Sequence, residues 1–224
     1  MKPADAGRDY TELVRSGYDR IAATYNRTRA LEAEPALAWL IDLLPDGASA
    51  LDLGCGAGVP ITRALAAHCK VIGVDISAAQ LALARKQVPS ADFVQGDVAR
   101  IDFPPATFDA VVSFYAIFHI ARDQHAPLFA KIFDWLKPGG SFLATLAMSN
   151  EAGYTEDLLG TEMYWSNYGV AEYRAMLDDA GFALVREAAI ASGFADSSLP
   201  PEIHPLMLAR KPAPGLARDG DDEG

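Results

Sequence analysis

The 224-residue chain has little cysteine: Cys55 and Cys69 alone cannot make a disulfide framework, and such sparing use fits a reducing compartment. It has no apolar run near the roughly 18–20 residues that a bilayer-spanning helix needs. The segment Met1 to Tyr10 is polar and charged, unlike a secretion signal. A cytoplasmic protein without membrane contact is therefore expected. Cations are in deficit, with 19 Lys and Arg against 30 Asp and Glu, for a net charge of −11. With no basic cluster there is no footprint for a phosphate backbone, so nucleic acid is not the expected partner. His68, His125 and His204 stand at no metal-ligand spacing, and no metal is expected. Internal repeats are absent. The one biased stretch is the tail at 212–224, ending Asp219-Gly220-Asp221-Asp222-Glu223-Gly224, where too little is apolar to order the chain.

What remains is an ordinary globular composition, 50% hydrophobic and 22% charged, long enough for one α/β domain. Strand and helix patterns alternate, which implies a mostly parallel sheet with helices on both faces. The expected strands are Ala48–Leu53, Lys70–Asp75, Asp92–Gln95, Phe108–Ser113, Ser141–Ala147, Ala183–Ala191 and Ile203–Ala209. Expected helices run from Pro35 to Leu44, from Ile61 to Ala67, from the capping box Ser77-Ala78-Ala79-Gln80 to Val88, from His125 to Lys137, and from Val170 to Ala180. Lys137-Pro138-Gly139-Gly140 reads as a helix stop and tight turn. Two segments break the rhythm. Tyr10, Val14, Tyr18, Ile21 and Tyr25 form a helical stripe ahead of the first strand, and residues 148–168 form a polar, aromatic insertion. We expect a single domain over 1–211, with a cap helix in 10–30 and a lid in 148–168.

The most informative stretch is Leu51-Asp52-Leu53-Gly54-Cys55-Gly56-Ala57-Gly58. A buried strand ends in a turn whose glycines allow backbone to lie against a ligand and to take positive φ. The following strands add chemistry at their carboxyl ends, where open α/β sheets collect ligands. Asp75, about twenty residues past the turn, can accept from both hydroxyls of a ribose. Asp97 and Val98 suit an adenine, the carboxylate taking the exocyclic amine and the backbone amide meeting a ring nitrogen. Ser113, Phe114 and Tyr115 offer a carbonyl and hydroxyls to an ammonium. No Lys-Ser/Thr follows the glycines, so this is not a P-loop. Val59 stands where a dinucleotide fingerprint places Gly or Ala. The pocket suits adenine, ribose and a zwitterionic tail rather than a pyrophosphate.

These motifs resemble the class I S-adenosylmethionine-dependent methyltransferases that act on small molecules. The glycine turn 52–58, Asp75, Gly96-Asp97-Val98, Phe108-Asp109-Ala110-Val111-Val112-Ser113 and Leu136-Lys137-Pro138-Gly139-Gly140 stand in that family's order and spacing. Tyr18-Asp19-Arg20-Ile21-Ala22-Ala23-Thr24-Tyr25 resembles its helical lead-in. The resemblance implies a Rossmann-like seven-stranded sheet with its last strand antiparallel, an N-terminal helix that closes over the cofactor, and S-adenosylmethionine as that cofactor. It places the cofactor against Tyr18, Tyr25, Asp52, Gly54, Cys55, Gly56, Gly58, Asp75, Ile76, Gln80, Asp97, Val98, Ser113 and Phe114. A small-molecule acceptor would meet Tyr115, Phe118, His119, Met163, Tyr164 and Trp165, and O- or N-methylation would be favoured.

His119 follows the fourth strand closely enough to serve as a general base, with an ordinary pKa near 6.5 that suits the role. Its neighbours Phe118 and Ile120 equally fit a packed core histidine. Tyr18 and Tyr25 read either as a core stripe or as contacts to the methionyl tail. Two other functions fit the same motifs less well: an NAD-dependent oxidoreductase, which Val59 opposes, and a non-catalytic S-adenosylmethionine-binding module.

Overall fold

The computed structural model describes residues 2–3, 7–28, 35–192 and 202–213. The expectation of disorder in the tail lies outside these from residue 214 onward, as do residues 29–30 of the expected cap. Strands β1 (Lys2–Pro3), β2 (Ser49–Leu53), β3 (Lys70–Asp75), β4 (Asp92–Gln95), β5 (Phe108–Ser113), β6 (Leu136–Thr145), β7 (Ala152–Leu158), β8 (Thr161–Ser166), β9 (Ala183–Ser192) and β10 (Glu202–Arg210) form two sheets. The helices are α1 (Tyr10–Thr28), α2 (Leu37–Ile41), α3 (Ile61–Ala66), α4 (Ala78–Gln87), α5 (His125–Trp135) and α6 (Val170–Asp179).

The large sheet has seven strands in the order β4-β3-β2-β5-β6-β10-β9. Pairings among β4, β3, β2, β5 and β6 are parallel, while β10 runs antiparallel to both β6 and β9. The sheet is therefore the one the resemblance implies, with the last strand reversed. Strand alternation divides the core in two. Leu51, Leu53, Val111 and Phe142 pack with Phe129, Ile132 and Trp135 of α5 and with Tyr173 and Leu177 of α6. From the other face, Ala50, Val112, Leu143 and Leu206 meet Leu37 and Leu40 of α2 and Leu65 of α3. Chain order reverses direction across the sheet between β2 and β5, and the crevice over their carboxyl ends is where such sheets bind ligands.

Two local expectations need correction, and a third segment gains a definite form. The Lys137–Gly140 stretch is not a free turn but the start of β6: Gly139 N donates to Lys211 O and Lys211 N to Gly140 O, so the chain beyond β10 draws it into the sheet. Residues 152–166, within the stretch expected as a lid, form the hairpin β7–β8, and β1 adds a third strand in the order β1-β7-β8. The hairpin is fixed by α1, whose Val14 and Ile21 bury Met163 and Tyr164. The helix expected over 35–44 contracts to the five residues of α2.

Candidate active site

A cavity of about 580 Å³ opens over the carboxyl ends of β2, β3, β4 and β5. Its floor is the turn after β2. Gly54 and Cys55 donate their amides to Val74 O at 2.8 and 3.0 Å, which draws the turn across the end of β3. Gly56 N donates to Asp75 Oδ2 and Ser77 N to Asp75 Oδ1, both at 2.8 Å. Asp75 thus orients the turn while leaving further lone-pair directions on each oxygen. Burial pushes its pKa up to about 6, against the two amide bonds, and the charge of Asp19 adds to the rise. Asp52 is also buried and accepts from Thr62 Oγ1 at 2.6 Å, which ties the end of β2 to α3. Burial raises its pKa to about 7, opposed by the Thr62 bond and reinforced by Asp75.

The glycines serve different purposes. Gly54 has φ +74°, and a Cβ there would overlap Ala116 Cβ, so the residue is bare for the chain's own sake. Gly56, at φ +54°, leaves room on its cavity side; the nearest atom to an added Cβ is Gln80 Oε1 at 3.9 Å. Gly58 faces Ala84 and Val88 at the helix behind it and does not line the cavity.

Ser77 caps α4, accepting from Gln80 N at 3.1 Å. The reciprocal half of the expected capping box does not form, because Asp75 already holds Ser77 N. The Gln80 side chain turns to the cavity instead, and its buried Oε1 has no hydrogen-bond partner. A buried amide oxygen left so is costly, by about 1–3 kcal/mol, unless a ligand donor reaches it. With Asp75 beside it, the pair fits a ribose diol. Asp97, Val98 and Ile76 line the same end, where an adenine would sit. The residues present therefore fit S-adenosylmethionine.

Helix α1 roofs the cavity with Thr11, Val14, Tyr18, Tyr25 and Asn26. It is held by Asp19, which the sequence reading did not single out. Asp19 Oδ1 accepts from Ser77 Oγ at 2.7 Å and Ala79 N at 3.0 Å, while Oδ2 takes Arg15 Nη1 at 2.9 Å. Farther along, Gln87 Nε2 donates to Asn26 Oδ1 and Ala57 O. The signal available for Asp19 was its place beside Tyr18 on an amphipathic helix, one position from the stripe.

At the other end, the chain leaves β5 through Tyr115, whose φ of +58° is strained for a tyrosine. A short 3-10 turn, Ile117–His119, then aims His119 into the cavity. His119 Nδ1 lies 2.7 Å from Tyr164 O and Nε2 lies 2.8 Å from Tyr18 Oη. A carbonyl can only accept, so Nδ1 carries the proton and a neutral ring accepts the Tyr18 hydroxyl at Nε2. Trp165 packs on the imidazole with ring centres 4.4 Å apart.

Of the residues expected here, Tyr18, Tyr25, Asp52, Gly54, Cys55, Gly56, Asp75, Ile76, Gln80, Asp97, Val98, Phe114, Tyr115 and His119 line the one cavity. The others stand behind its wall. The Ser113 hydroxyl donates to Leu53 O at 3.0 Å and stitches β5 to β2. Phe118 packs between His119, Trp165 and His204. Met163 and Tyr164 belong to the cluster under α1, where Tyr164 also stacks on Tyr10. His125, by contrast, is structural: burial lowers its pKa to about 4, and its Nε2 donates to Ile120 O, bracing the turn that carries His119.

Comparison with known proteins agrees with this geometry. Residues 50–140 match the family described as "Methyltransferase domain". The chain is 33% identical over 142 residues to 2-phytyl-1,4-naphtoquinone methyltransferase of Thermosynechococcus vestitus, covering 57% of this chain and 61% of that protein. Over this region the chain is similar to the class I S-adenosylmethionine-dependent methyltransferases. The cofactor of this family is S-adenosylmethionine. A second relative, phosphoethanolamine N-methyltransferase 3 of Arabidopsis thaliana, is 31% identical over 173 residues, covering 74% of this chain and 35% of that protein. The chain thus spans between about a third and three fifths of these curated relatives. The fold is shared with Burkholderia thailandensis 1,6-didemethyltoxoflavin-N1-methyltransferase, solved with 1,6-didemethyltoxoflavin and S-adenosylhomocysteine, at a TM-score of 0.69 and 23% identity over 94% of each chain. Among the described residues no helix is long and apolar enough to cross a membrane.

Proposed function

We propose that this methyltransferase moves a methyl group from S-adenosylmethionine to a hydroxyl or amine of a small molecule by in-line displacement. When bound, the cofactor supplies the activated methyl and its sulfur leaving group. The protein's part is to orient the acceptor, exclude water and take up a proton. Gln80, Asp75 and Asp97 would hold the adenosyl end, and α1 would cover the reacting centre. Alignment of this kind is worth roughly 7–11 kcal/mol in favourable cases.

The observation that carries the reading is the Tyr18–His119 pair inside the cavity, with Oη and Nε2 2.8 Å apart. The acceptor proton passes to Tyr18 Oη while the tyrosine's own proton passes to His119 Nε2. The imidazolium so formed keeps its Nδ1 hydrogen bond to Tyr164 O. The names of the relatives, a naphthoquinone and a phosphoethanolamine methyltransferase, support a small acceptor without choosing one. The test is mass spectrometry of a metabolite extract incubated with protein and S-adenosylmethionine. A product heavier by one methylene unit is expected; its absence across extracts, with calorimetry showing S-adenosylhomocysteine bound, would favour the non-catalytic reading.

A further inference from the structure

The charges lining the cavity are unevenly placed. Among the described residues, four carboxylates, Asp52, Asp75, Asp97 and Asp123, face it against a single Arg or Lys, Arg100. That guanidinium stands 3.4 Å from Asp97 Oδ2 with its side chain 83% exposed, at the adenine end. Asp123 lies in the short turn Arg122–Gln124 ahead of α5 and adds negative charge to the cavity, not a cation. The far end, beyond Tyr115, is walled by Val14, Tyr18, Phe114, Tyr115, Ile120 and Ala191, all without charge. The titratable group facing that end from its own wall is His119, and both its ring nitrogens are engaged, Nδ1 by Tyr164 O and Nε2 by Tyr18 Oη. Basic side chains packed near α1 are engaged elsewhere: Arg15 with Glu12 and Asp19, Arg20 with Thr161, Arg8 with Glu162.

An anionic acceptor entering this end would leave water without finding a cation, beside a chain whose net charge is −11. Among the described residues, a phosphate or carboxylate there has no cationic partner. A hydroxyl has one, Tyr18 Oη, and apolar or aromatic surface has the rest of the wall. Resting on the methyl-transfer reading above, we infer that the acceptor is an uncharged, mainly apolar molecule presenting one hydroxyl to Tyr18, and that the site rejects phosphorylated acceptors. The class of reaction that would supply it leaves a free hydroxyl on an apolar ring, as reduction of a quinone or hydroxylation of a ring does.

The experiment is calorimetry on the full chain, first with S-adenosylhomocysteine alone and then, with that ligand saturating, with 2-naphthol, 2-naphthyl phosphate and phosphoethanolamine. The naphthol is expected to bind at least about 100-fold more tightly than its phosphate ester, and phosphoethanolamine not at all. Failure of S-adenosylhomocysteine to bind would overturn the cofactor reading on which the inference rests. With that ligand bound, equal affinity for the two naphthyl compounds, a preference for either phosphate, or no binding of naphthol at millimolar concentration would overturn the acceptor inference alone.

Discussion

Asp19 of α1 accepts from Ser77 Oγ at 2.7 Å, so the residue that caps α4 is itself gripped by the helix roofing the cavity. Ala79 N donates to the same carboxylate oxygen at 3.0 Å, at the positive end of the α4 dipole. One side chain therefore couples the position of the roof to the helix that carries Gln80. Replacing Asp19 by Ala is expected to cost about 1–2 kcal/mol of stability, the range for losing a capping group. It should weaken S-adenosylhomocysteine binding as well, and Asp19→Asn, which keeps one acceptor, should lose less of both. Thermal melts with and without ligand decide it; equal stabilisation by ligand in the wild type and Asp19→Ala would dissociate the latch from the site.

Gly54 and Ala116 make a second coupled pair. The glycine sits at φ +74°, and any Cβ would overlap the alanine methyl. Gly54→Ala should destabilise through both terms, with the positive φ alone costing about 1–2 kcal/mol. Adding Ala116→Gly should remove the overlap and leave the backbone term. A coupling of about 1–3 kcal/mol is expected from a urea double-mutant cycle. Simple additivity would mean that the turn relaxes away from β5.

How far the site could be read beforehand follows from the range of the forces involved. Strand ends and the glycine turn are local patterns, and β3, β4 and β5 stand at their expected boundaries. Asp75, Asp97 and His119 line the expected cavity because each stands at or just past a strand end, where chain geometry places it. Met163 and Tyr164 were drawn to the acceptor because they are aromatic or soft residues in an insertion; the register of β7 on β8, which turns them under α1, has no local signature. The reason offered for Gly54 was a ligand, whereas the body it must avoid is Ala116, some sixty residues on. Gln80 was assigned to the cofactor by resemblance, but that its oxygen is released to the cavity depends on Asp75 taking Ser77 N first.

Asp52 should make the unliganded protein less stable as pH rises. Burial lifts its pKa to about 7 in the folded chain, from an ordinary value near 3.8. Between those values the native state holds a proton that the unfolded state has released, so stability is full below about pH 4 and declines toward about pH 7. Asp52→Asn keeps an oxygen for the Thr62 hydroxyl and cannot ionise. Urea midpoints are expected to fall more steeply with pH in the wild type than in the variant, which becomes the more stable protein by pH 7.5. Parallel profiles would show that Asp52 is already neutralised by something else.

Asp75 gives the opposite dependence in binding. Its pKa is raised to about 6 by burial, and a ribose hydroxyl needs the ionised form as its acceptor. The affinity for S-adenosylhomocysteine should therefore fall as pH drops from 7.5 to 5, by up to about tenfold for each unit below the pKa. Asp75→Asn should be weaker by about 1–3 kcal/mol at pH 7.5 and lose that slope. A wild-type affinity flat over this range, measured by calorimetry in matched buffers, would place the ribose elsewhere.

The Tyr18–His119 pair separates chemistry from cofactor binding. His119 holds its Nδ1 proton on Tyr164 O at 2.7 Å and presents Nε2 to the Tyr18 hydroxyl at 2.8 Å, so the relay is set before any acceptor arrives. General-base assistance contributes typically about 10²–10⁴-fold. His119→Ala should lower kcat by about that factor, with the dissociation constant of S-adenosylhomocysteine changed less than about threefold. Tyr18→Phe breaks the chain at its first member but leaves imidazole in the cavity, so a smaller loss, about tenfold, is expected there. The double variant should be no slower than His119→Ala, because groups that act as one unit are not additive. If each substitution instead weakened cofactor binding and left kcat alone, the histidine would be a packed wall residue, held by Trp165 and the hairpin, and the acceptor would have to lose its proton to water.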